Sequence, residues 1–272
     1  MTKQKFFLFL TLLAGALAFN ACKDNSDTDD ITGFGDVEIE LESRAGDASL
    51  VLGTEYTNAA GEKLTFTTFD YYVSNIVLVK ADGTEYTVPK DESYFLVKHD
   101  DPDSKEIKLS NVPAGDYTGL RFLIGVDSAK SVSPIGERIG VLDPAGAASG
   151  MYWSWNAGYI FVKVEGTSPA APLDPGSGEH IFQYHTGLFG GYDSPTLNNL
   201  KTVNLTVPDE AAKVRQGEEA PHFHLFVNAL DMFTSPTNIS IAANPFSHAG
   251  AYSKTVADNY ADMFVIDHVH NH

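Results

Sequence analysis

Nine histidines are unevenly spread along this chain of 272 residues, none before His99, and several stand two residues apart. Successive side chains of an extended strand alternate between faces, so a pair at i, i+2 points the same way and can converge on one metal ion. His222 and His224 in PHFHLF form such a pair, and His268, His270 and His272 in VIDHVHNH form a second run. Around the first pair Phe223, Leu225 and Val227 take the opposite parity, which sends His222 and His224 toward solvent. The second run has the other parity. Phe264 and Ile266 share a face with His268 and His270, so these two imidazoles are expected to continue an apolar face and to need a buried partner or a metal. Asp267 is a candidate acceptor for orienting a ligating ring, and His272 is expected to fray. His185 closes an apolar run in IFQYHTGLFGGY just before a glycine-rich turn and is a further candidate ligand.

Trp153 and Trp155 are the only tryptophans, two residues apart in MYWSWNAGY, hence on one face if the segment is a strand. Such a face packs in a core or, when exposed, stacks on a ligand ring. An intact indole nitrogen has no free lone pair and cannot ligate a metal; oxidative opening to kynurenine creates an aryl amine that can. With a single cysteine, Cys22, an internal disulfide framework and cysteine-rich zinc modules are excluded. Any metal chemistry falls to imidazoles, which suit copper(II), zinc and nickel. Met151 fits core packing better than ligation.

The elements that must position these residues read as strands. From Phe34 onward, short runs of alternating apolar and polar residues are separated by Gly, Pro, Asp and Asn. Expected strands include Val37 to Leu41, Lys63 to Phe69, Tyr71 to Lys80, Tyr117 to Val126, Met151 to Glu165, His180 to His185, Lys201 to Val207, His222 to Leu230 and Met263 to His270, with a hairpin turn at Asp82-Gly83. No stretch of helical period exceeds a turn or so near Val256 to Ala261. The expected fold is all-β, an antiparallel β-sandwich-like domain over residues 34–272 with long loops at 127–150 and 167–178. Asp127 and Asp143 are expected to serve turns and caps.

Two lysines followed by the uncharged run Phe6 to Phe19 mark residues 1–21 as a secretory signal too short to span a bilayer. The small residue before Cys22 makes that cysteine the expected lipidation site, as in bacterial lipoproteins. Residues 22–33, which carry KDNSDTDD, read as an acidic flexible tether. Loss of Lys3 and Lys5 with the signal takes the net charge from −18 to −20, which argues against nucleic-acid partners. The expected location is the outer membrane, held by the lipid at Cys22 and facing either the periplasm or the cell surface.

The segments SGMYWSWNAGYIFVKVEG (149–166), FQYHTG (182–187), FDYYVSNIVLV (69–79) and MFVIDHVHNH at the end of the chain resemble the MbnP-like family of copper-binding proteins. The resemblance runs in order over most of the chain after the signal. It implies a β-rich, secreted or lipid-anchored protein in copper acquisition or handling. Copper would be held by histidine, with His185 matching the family's histidine segment. A tryptophan oxidised to kynurenine by a di-haem partner of the MbnH type would assist, and either Trp153 or Trp155 would be that residue. No nucleophile elbow, H-E-x-x-H or phosphate-binding glycine loop is present, so an enzyme is not expected. The competing expectation is a surface lipoprotein that binds glycan or protein through Trp153 and Trp155 without metal.

Overall fold

The computed structural model describes residues 31–155 and 158–272. The expected signal segment 1–21, Cys22 and the tether through Asp30 lie outside the described residues, as do Asn156 and Ala157. Residues 31–272 form one compact unit, and among the described residues no helix is long and apolar enough to cross a membrane.

Ten strands of five or more residues build this unit. They are β1 (Phe34–Ala45), β2 (Lys63–Lys80), β3 (Tyr94–Lys98), β4 (Glu106–Pro113) and β5 (Gly115–Ile124). After the long loop come β6 (Gly158–Thr167), β7 (Ile181–Gly187), β8 (Lys201–Thr206), β9 (His222–Asn228) and β10 (Phe264–His270). One sheet runs β10-β9-β1, with β4 on the far side of β1. The other runs β8-β5-β2-β6-β7, with β3 also paired to β2. The expected all-β sandwich is therefore present, with mixed sheets: β1 runs parallel to β9, and β7 runs parallel to the short strand Phe246–Ser247.

Alternation explains why the sheets stack. In β1, Val37, Ile39 and Leu41 are buried while Glu38, Glu40 and Glu42 face outward; in β9, Phe223, Leu225 and Val227 are buried between outward histidines. These inner faces join Phe66, Phe69, Tyr71, Phe122, Val164, Phe182 and Tyr184 of the opposite sheet in one apolar cluster. Phe264 of β10 spans the gap, its ring 5.6 Å from Tyr71 and 5.1 Å from Phe122, both edge-on. Helix α1 (Ser253–Tyr260) is longer than the single turn expected, and it adds Val256, Ala257 and Tyr260 to the same cluster.

A second, smaller cluster lies under the 127–150 loop and includes Tyr72, Leu142, Met151, Tyr159 and Phe161. Tyr72 and Tyr159 donate hydrogen bonds to the Val141 and Leu142 carbonyls, which tie the loop to the sheet. Asp127 caps the turn Ser128–Ser131 by accepting from the Lys130 amide, and Asp143 accepts from the Ala145 amide, so both acids serve turns as expected. Met151 is buried, also as expected.

One expected strand is broken. Met151 to Glu165 is not continuous: Tyr152–Trp153 folds back on β6, pairing Trp153 with Gly158 and Tyr152 with Tyr159. Gly158, at φ +70°, occupies the left-handed region at the start of the returning strand.

Gly166 marks a register slip between β6 and β2, where a Cβ would lie 2.0 Å from the Thr65 carbonyl oxygen and 2.7 Å from the Phe182 ring. Gly166→Ala is expected to cost about 1–3 kcal/mol through overpacking. Thermal unfolding of the variant beside the wild type checks this, with a drop in Tm of roughly 2–10 °C expected for a domain of this size.

Candidate functional site

The structure divides the candidate residues between the outer faces of the two sheets. In β7, Phe182, Tyr184 and Thr186 point inward, which turns His185 outward. His185 lies opposite Lys163 of β6, and its Nε2 is 2.7 Å from Glu165 Oε1. A carboxylate accepts, so Nε2 carries the proton and Nδ1 keeps the lone pair. The other oxygen of Glu165 accepts from the Thr68 hydroxyl at 3.0 Å, and Lys163 Nζ lies 3.7 Å from Oε1. The carboxylate is thus held from three sides.

Next to this pair is His248, its ring centroid 5.0 Å from that of His185. It follows the short strand Phe246–Ser247, which the parallel pairing to β7 brings alongside. Sequence reasoning missed His248 because it lies in a loop, in SHAG, with no neighbouring histidine at strand spacing. Burial pulls His185 below the ordinary histidine range against the opposing pull of Glu165, and burial likewise lowers His248. Burial alone would raise Glu165, but the hydrogen bonds from His185 and Thr68 and the charge of Lys163 bring it below the ordinary carboxylate value. The result is two neutral imidazoles beside an ionised carboxylate, the state required of metal ligands.

The tryptophans stand on the hairpin that leads into β6. Their rings stack at 5.3 Å with an interplanar angle of 29°. Residue 155 lies in the turn, not in a strand, so the turn and not strand alternation places the indoles together. Trp153 is partly buried against the second cluster, and Trp155 is 56% exposed. Gly187, two residues beyond His185, lets the Trp153 ring approach the end of β7: a Cβ there would lie 3.1 Å from that ring. Trp155 borders an open pocket of about 370 Å³ that Arg138, Tyr152 and Tyr192 also line.

His222, His224, His268 and His270 lie on the outer face of the other sheet. Cross-strand register sets His224 opposite His268 and His222 opposite His270. The first pair faces outward as expected. The expectation for His268 and His270 is corrected: they do not continue the apolar face of Phe264 and Ile266. The pairing shifts between His224 and Leu225, leaving Asp267 as an extra residue in β10. This bulge reverses the parity of everything after it. Phe264 is buried and Ile266 packs on the core, whereas His268 and His270 are exposed and Val269 turns inward. His272 lies 3.7 Å from Glu219 and its ring packs on that of His270. Because the core separates the two outer faces, His185 cannot share an ion with His224 or His268.

The family model MbnP matches residues 34–252 of the chain. The chain belongs to the MbnP family. It is similar to the solved structure of MbnP from Methylosinus trichosporium, with 19% identity, 79% of this chain and 81% of that chain covered, and a TM-score of 0.48. No curated protein sequence matches it. His185, His248, Glu165 and both tryptophans lie within the matched segment; Asp267, His268 and His270 lie beyond it.

His185 and His248 set the sign of this face's contribution to the pH dependence, which the lowered His99 reinforces and Asp70, raised by burial to about 6, opposes. Below the ordinary value of 6.5 the unfolded chain takes up protons that the folded state refuses, so their stabilisation is present above that pH and is lost as pH falls toward the folded values. Denaturant unfolding of the metal-free protein at pH 8 and pH 5 (roughly 1.5 units either side of the histidine midpoint) is expected to show lower stability at the acid end. In His185→Ala the dependence flattens.

Proposed function

We propose that this MbnP-family protein is an extracytoplasmic copper-binding protein that holds copper on the His185 face of β6 and β7. The observation that carries this reading is the His185–Glu165 pair at 2.7 Å with the His248 ring 5.0 Å away. Glu165 fixes the tautomer, so Nδ1 of His185 is the ligating atom, and His248 is the second imidazole. Two neutral imidazoles suit copper(II), and no thiolate competes. Trp153 or Trp155, converted to kynurenine by a di-haem partner, adds an aryl amine beside this face. Gly187 supports the closer placement of Trp153. The chain's own contribution is to orient the rings, exclude part of the solvent and keep the imidazoles unprotonated. Cys22 carries the lipid that anchors the protein to the outer membrane, and the acidic tether spaces the domain from it. The protein handles metal and does not catalyse a reaction.

Copper added to the purified protein is expected to survive desalting. His185→Ala and His248→Ala each lower retention, and Glu165→Gln weakens affinity by about 10–100-fold through loss of the orienting acceptor. Retention unchanged in both histidine variants rejects this site. Intact mass and peptide mapping of protein from its native source report the lipid on Cys22 and kynurenine at position 153 or 155 together.

A second reading has one observation in its favour: the exposed Trp155 ring beside the open pocket offers a stacking surface for glycan or a protein partner. Trp155→Ala then abolishes ligand binding while copper retention in His185→Ala stays at the wild-type level.

A further inference from the structure

We infer a second metal site on the opposite face of the protein, built from His224, Asp267 and His268 and suited to a zinc(II)- or copper(II)-class divalent ion. It does not depend on tryptophan oxidation or on His185. Among the described residues these three form the one group of three or more His, Cys, Asp or Glu side chains whose ligand atoms all lie within 4.8 Å of one another.

The bulge of β10 creates the group. Strand alternation alone would send Asp267 to the face opposite His268; as the extra residue of the bulge it stays with the histidines instead. Asp267 Oδ2 lies 2.8 Å from His268 Nδ1 and 3.5 Å from His224 Nδ1. The two rings are 5.0 Å apart at 55°. Ligands of a tetrahedral ion with bonds of about 2.1 Å stand roughly 3.4 Å from one another. The observed spacing needs only small side-chain rotations, and His268, 52% exposed, is free to make them.

The surroundings complete the argument. His224 Nε2, on the far side of the ring from Asp267, is 3.3 Å from Glu42 Oε2 and 3.6 Å from Glu40 Oε2. A neutral imidazole cannot donate to carboxylates at both ends. With a cation at Nδ1, the Nε2 proton points at Glu42, the carboxylate–histidine–metal arrangement that orients ligating rings. Glu42 is itself held by the Ser49 hydroxyl at 2.8 Å. Among the described residues Glu40, Glu42 and Asp267 form ion pairs with histidines alone. The nearby cations are engaged elsewhere: Lys108 pairs with Glu38, Arg44 lies over the Phe226 ring, and Lys105, which borders the cleft beside Glu40 and Glu42, donates to the His99 carbonyl. His222 Nε2 is buried without a hydrogen-bond partner, 3.8 Å from Glu40 and 4.0 Å from Glu106. The face is short of positive charge around its imidazoles, which a divalent ion supplies.

The test uses zinc ion as the probe and protein with intact tryptophans. In a His185→Ala/His248→Ala background, which silences the first face, one equivalent of zinc is expected to remain after desalting. Adding His224→Ala or His268→Ala lowers zinc affinity at least tenfold, and Glu42→Gln lowers it by a smaller factor. In the wild-type chain, zinc shifts the imidazole resonances of His224 and His268, a readout that needs no variant to fold. Absence of those shifts overturns the site, as does zinc affinity unchanged by His268→Ala. Loss of copper retention in His185→Ala with zinc binding at His224 intact leaves this site standing whatever becomes of the first.

Discussion

The alternation of side chains along each strand, combined with one shared dry interlayer, governs where chemistry is allowed in this protein. Tyr71, Phe122 and Phe264 lock the two inner faces together, with Phe66, Phe182 and Phe233 packed edge to face nearby. An unpaired imidazole or carboxylate would be costly in that layer. Every histidine with a candidate role therefore stands on an outer face, and the two outer faces are separated by the full thickness of the core.

The two faces solve the same problem by different local devices. On β6 and β7 a regular register places His185 beside Glu165 and Lys163, and a short parallel strand delivers His248 from a distant loop. Partial burial there keeps the rings neutral without an ion. On β9 and β10 the register is broken, and the break supplies the third ligand-type side chain, Asp267. That face is more exposed and more acidic, with Glu38, Glu40 and Glu42 projecting from β1 alongside. Long-range positioning thus rests on strand pairing, and local identity rests on turns, glycines and one bulge.

Much of this was legible in the sequence. The alternation in VEIEL marked β1 as a strand, the alternation in HFHLFV gave the correct inward and outward faces for β9, and the segments around Trp153 and His185 carried the family resemblance. What failed did so for identifiable reasons. The parity of His268 and His270 was misread because a bulge adds a residue without leaving a composition signal. Met151 to Glu165 read as one strand because the turn holding Trp155 keeps the apolar-polar rhythm through a reversal of direction. His248 was passed over because a loop residue gains a partner only through a pairing between segments some sixty residues apart.

By itself, the sequence determined the all-β class and the outward placement of His222 and His224 on their strand. Those follow from period-two patterning and local residue identity, which act within a few residues. The tertiary structure alone decided which imidazoles meet. It paired His185 with Glu165 and His248, and His224 with His268 and Asp267, because register between strands distant in sequence is set by how the whole interlayer packs. A single extra residue in β10 then chose the face on which the last histidines stand.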